Sequence, residues 1–204
     1  TITAGTAAAL STALVTNGDA TVNAYKLTVN NDNTTTLATD LTGLDAKTSV
    51  AVDATASSII EIKGSSADVA AVYAANTAGT ITGLGNEAVT ITGTDATVAN
   101  LAAINTATTG VVTVTEVDVT AGTFSLADLF GANTTNAVNG ITGLTTIDAS
   151  TSTNASALTL KFADLLTVDS GTSSAIAVKL GAGDTLAVDT LGWSKVVDST
   201  TQDT

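Results

Sequence analysis

The chain contains no cysteine, histidine, proline or methionine, and its six basic residues are all lysine. These absences restrict chemistry. Without histidine the commonest general base near neutral pH is missing. Without cysteine there is no thiol nucleophile, no disulfide and no thiolate metal site. Without arginine there is no bidentate clamp for phosphate or carboxylate. Catalysis would have to rest on Asp, Glu, Lys, Ser, Thr or Tyr. Aromatics are 3% of the chain: Trp193, Tyr25, Tyr73, Phe124, Phe130 and Phe162. Sugar-cleaving clefts usually carry aromatic platforms, so abundant Asp alone does not indicate a glycosidase. The chain is read as a non-enzyme. The formal net charge is −13, with Glu61, Glu87 and Glu116 the only glutamates. A surface this acidic repels nucleic acid and anionic lipid, since binding either takes a basic footprint. No run of about 20 apolar residues exists, so no membrane insertion is expected. Thr1 is not an initiator residue, so the sequence reads as a processed product or a piece of a longer chain.

What is present is periodic. An apolar content of 44%, the lack of proline and 43 threonines argue for order over disorder, because β-branched residues suit a half-buried pleated surface. A shallow motif recurs as Val69, Val72, Asn76, Thr77; as Val98, Leu101, Asn105, Thr106; and as Leu126, Leu129, Asn133, Thr134, at nearly constant spacing. A fainter copy is Leu10, Ala13, Asn17, and Phe162-Ala163-Asp164-Leu165 echoes Leu126-Ala127-Asp128-Leu129. Fixed periods of this size mark stacked units that share a core.

Within one period, Ser66 to Ala75 has helical spacing, with Ser66 as candidate cap and Asp68 in the first turn. Asn76-Thr77-Ala78-Gly79 suits a helix end. Thr80-Ile81-Thr82 and Ala88 to Thr94 read as strands, as does Gly110 to Thr115. The next helical piece is Val98 to Ile104, begun by Asp95 or Thr97. Val29 to Leu41 reads as a polar loop, and Thr-Gly-Leu at Thr42, Thr82 and Thr142 reads as equivalent corners. The fold expected is mainly β with short helices, a parallel β-solenoid-like stack of roughly 29-residue repeats. It is expected to be a single domain over 1–204, with weak units at 1–64, clearer repeats at 65–140 and C-terminal units at 141–198.

The stretch Ile141-Thr142-Gly143-Leu144-Thr145-Thr146-Ile147-Asp148-Ala149 is followed by Leu158-Thr159-Leu160, Phe162-Ala163-Asp164-Leu165-Leu166, Gly181-Ala182-Gly183-Asp184-Thr185-Leu186 and Trp193. That order resembles segments of large type I-secreted bacterial surface proteins, the S-layer-like and haemolysin-type calcium-associated adhesins. The resemblance covers residues 65–195. It implies an exported structural protein at the cell surface, a repeat segment of a surface layer, filament or giant adhesin that associates with itself. The alternative is an adhesin module that recognises a glycan or a host surface. The glycine-rich calcium nonapeptide of that class is absent, and Gly181-Ala182-Gly183-Asp184 is only a fragment of it. Calcium is nevertheless the candidate cofactor, because it takes six to eight oxygen ligands of the kind that Asp and Asn in turns supply. The candidate metal residues are Asp32, Asp184 and Asp189. The competing reading is that Asn and Asp make turns without an ion.

Overall fold

A computed structural model of the chain describes residues 4–16, 21–30, 34–55, 59–118, 141–142, 146–149, 158–160, 177–180 and 186–188. Contacts divide the chain into two compact units. One comprises Thr1–Thr92 with Ala107–Val111, the other Gly93–Thr106 with Val112–Thr204.

The first unit alternates short helices with short parallel strands. Its helices are α1 (Ala7–Ser11), which runs on into a π-helical turn at Thr12–Thr16, α2 (Ala38–Asp45) and α3 (Ser66–Ala78). Its strands are β1 (Thr35–Leu37), β2 (Val52–Asp53), β3 (Glu61–Gly64), β4 (Ile81–Thr82) and β5 (Ala88–Ile91). Helices this short are not stable alone. They are held by residues three apart that point to the core: Leu41 and Leu44 on α2, Val69 and Val72 on α3, all fully buried. Ser65, not Ser66, caps α3: its hydroxyl accepts the Asp68 N–H at 3.1 Å and donates to the Asp68 carboxylate at 2.7 Å. Ser66 is the first helical residue and is buried. The helix ends at Gly79, whose φ of +79° is the left-handed conformation that glycine adopts without cost.

β3 lies between β1 and β5, all parallel, with Thr36, Ile62 and Val89 in one row and Thr35, Glu61 and Ala88 in the next. The first row is buried. Alternation therefore sends Glu61, Lys63 and Thr90 to the other face. Burying Ile62 completely is worth about 2 kcal/mol. β2 pairs with β4 through Val52 and Ile81, both fully buried, and Asp53 reaches back to Thr28.

On the polar face Glu61 joins three strands. One carboxylate oxygen accepts the Thr35 hydroxyl at 2.6 Å and the other accepts the Thr90 hydroxyl at 2.5 Å. These two bonds, Thr35 first, hold the Glu61 carboxyl below the ordinary glutamate range. A carboxyl more acidic in the fold than in the unfolded chain stabilises fully above its ordinary range, near pH 4.3, and the contribution is lost as pH falls through the lowered value. Glu61→Gln is therefore expected to flatten the acid limb of stability below about pH 4, read as urea midpoint against pH. An unchanged acid limb would remove Glu61 as its source. Asp53, held low by the Thr55 hydroxyl and N–H, keeps its own share in that variant.

The second unit contains α4 (Val98–Ala107, its last residue grouped with the first unit), β6 (Val112–Thr113), β7 (Glu116–Asp118), β8 (Ile141–Thr142), β9 (Thr146–Ala149), β10 (Leu158–Leu160), β11 (Ala177–Leu180) and β12 (Leu186–Val188). Thr97 caps α4 by accepting the Asn100 N–H at 3.3 Å. β6 pairs with β8, β10 with β12, and β9 lies between β7 and β11, every pair parallel.

This architecture corrects the expected mainly-β solenoid. The described chain is mixed α/β, with four α-helices and parallel strands of two to four residues in small sheets. Ala-rich segments favour helix more than the Thr and Val alternation favours strand, and α3 alone spans 13 residues. The polar loop expected over Val29 to Leu41 contains β1 and the start of α2. Thr-Gly-Leu does not mark one kind of corner: Thr42 lies inside α2, whereas Thr82 and Thr142 end strands. The spacing of the sequence motif does reappear in the pairing. Thr35 meets Glu61, Glu61 meets Ala88 and Thr146 meets Ala177, each step close to one period.

Candidate functional site

Two clusters of chemistry-bearing side chains stand out among the described residues, one in each unit. The first is a set of carboxylates. Val117 is fully buried, so its neighbours Glu116 and Asp118 share the opposite face of β7. The register sets Asp118 beside Asp148 of β9 and Glu116 beside Thr146. Carboxylate oxygens of Glu116, Asp118 and Asp148 lie within 4.8 Å of one another, and all three residues are half-buried.

Like charges directly opposite on neighbouring strands repel. A hard cation is one way to offset that repulsion, and oxygen ligands suit calcium. Three carboxylates fall short of calcium's six to eight oxygens, so water or backbone carbonyls would supply the rest. The register also sets Lys179 of β11 level with Asp148, on the far side of β9 from Asp118. Were calcium held here, isothermal titration would show heat that Asp148→Asn abolishes. A flat titration of the unaltered protein would end the calcium reading.

The sequence-based metal candidates Asp32, Asp184 and Asp189 lie outside the described residues. The cluster that the fold brings together is not among them. Its signal is nevertheless in the sequence: Glu116 and Asp118 alternate on a strand, and Asp148 follows Asp118 by about one period.

The second cluster surrounds Glu87 in the first unit. Glu87, Tyr73 and Thr108 are each 3% exposed. The turn Gly83-Leu84-Gly85-Asn86 precedes Glu87 and needs φ of +91° at Gly83 and +139° at Gly85, a region natural to glycine. One Glu87 carboxylate oxygen accepts the N–H groups of Gly85 at 2.8 Å and Asn86 at 3.2 Å, and the Tyr73 hydroxyl at 3.3 Å. The Glu87 carbonyl accepts the Thr108 hydroxyl at 2.7 Å, and the same hydroxyl oxygen accepts the Gly110 N–H at 3.0 Å. Asn76 on α3 holds Leu84 from both sides, accepting its N–H at 3.2 Å and donating to its carbonyl at 3.4 Å. Burial, with the Glu87 carboxylate beside it, pushes the Tyr73 phenol above the ordinary tyrosine range.

This group resembles a buried acid–base pair in composition, but its geometry is that of a pin. One oxygen of the buried carboxylate is held by three donors of the chain itself. The motif Asn thereby acquires a reason: Asn76 ties the end of α3 to the turn after β4. Thr48 repeats the device of Thr108. It donates to the Tyr25 carbonyl at 2.6 Å and accepts the Val50 N–H at 3.0 Å. Asn105, the counterpart of Asn76 on α4, is buried with its side-chain oxygen unpaired. Nothing in the surrounding structure explains that exception.

No known family, curated protein or solved structure matches this chain. Among the described residues no helix is long and apolar enough to cross a membrane.

Proposed function

We propose that the chain is a structural segment of an extracellular bacterial surface protein, a part of a surface layer, filament or adhesive stalk, with no catalytic role. The observation that carries this reading is the in-register parallel pairing of segments about one period apart. Within each unit the paired segments are bonded laterally through backbone groups, so tension across such a pair would be shared by several weak bonds in parallel. Threonine hydroxyls and glutamate carboxylates add cross-links of the same kind, as at Thr35, Glu61 and Thr90. The composition supports the reading too: a net charge of −13 and no thiol suit a hydrated, non-sticky exterior that needs no disulfide.

Sheet ends support the proposed self-association. Among the described residues, β1 ends the order of its sheet and β11 ends that of another. Strand edges are templates for further pairing unless covered, and head-to-tail contacts that do not close produce filaments or lattices. Electron microscopy of the concentrated protein is expected to show ordered sheets or fibres. A monodisperse monomer that scores on a glycan array would overturn the structural reading in favour of a glycan-recognising adhesin module.

A further inference from the structure

We draw no further inference here: the strongest candidate, the carboxylate cluster of Glu116, Asp118 and Asp148 on the adjacent strands β7 and β9, belongs to the site already described, and no second feature beside it points to a ligand.

Discussion

Replacing Gly83 by alanine is expected to cost about 2–5 kcal/mol of stability, a large share of what a domain of this size has to lose. Two effects combine. The φ of +91° is strained for any residue with a Cβ, at about 1–2 kcal/mol. The added Cβ would also sit 2.4 Å from both the Cα and the N of Thr55, which are backbone atoms of a neighbouring segment and cannot swing aside. Such overpacking adds about 1–3 kcal/mol. Two other glycines separate the contributions. Gly79 has φ +79° with nothing within 4 Å of the place a methyl would take, so Gly79→Ala should cost only the conformational part, about 1–2 kcal/mol. Gly110 carries the steric part, since its Cβ would lie 2.1 Å from the Glu87 carbonyl oxygen. Urea midpoints at constant slope would rank the three. If Gly83→Ala were no worse than Gly79→Ala, the close approach of the Thr55 backbone would be refuted.

The second large effect is expected at Glu87. Truncation to alanine leaves the Gly85 and Asn86 N–H groups, in a part-buried turn, and the buried Tyr73 hydroxyl without this acceptor. A stranded buried donor costs about 1–3 kcal/mol and a part-buried one less, so Glu87→Ala should lose about 3 kcal/mol. Glu87→Gln keeps an acceptor oxygen and loses only the charge assistance, about 1 kcal/mol. Tyr73→Phe should cost about 1 kcal/mol. Its coupling to Glu87→Gln should be clearly non-zero, because the two share one bond. Tyr73 adds an alkaline signature. Its phenol is less acidic in the fold than in the unfolded chain, so its contribution is complete below about pH 10 and is lost as pH rises towards the folded value. Tyr73→Phe should blunt that alkaline loss. Equal losses from Glu87→Ala and Glu87→Gln, with Tyr73→Phe simply additive to Glu87→Gln, would mean that the carboxylate is not what holds the turn.

These two sites also show how much is legible in the sequence. Val69, Val72 and the Gly79 stop locate α3, because helical spacing and a left-handed glycine are local signals. Sequence reasoning sets the cap of that helix at Ser66 and the structure sets it at Ser65, since the two have the same capping chemistry and only the backbone angle decides between them. α2 is not apparent from the residues alone. Its core pair, Leu41 and Leu44, has the same spacing as Val69 and Val72, but Thr42 and Gly43 between them resemble a turn. Strand content reads too high because a threonine–valine alternation of two residues looks the same as the start of a longer one. Glu87 gives no sign at all. A buried glutamate is usually betrayed by a lysine or arginine at a matching distance, whereas here the donors are backbone amides and a phenol 14 residues upstream. The carboxylate cluster leaves only a partial signal: Glu116 and Asp118 alternate along the chain, but Asp118 and Asp148 become neighbours only when one strand pairs with the next.

The modest sequence distance between strand partners also sets an order in time. Among the described residues, no paired strands are separated by much more than one period. Closing loops of that size is entropically mild, and each doubling of length adds only about 0.6 kcal/mol. Short-range topology of this sort folds fast relative to distant pairings. A nascent or emerging polypeptide can therefore consolidate piecemeal as it becomes available, each stretch waiting only for its immediate successor.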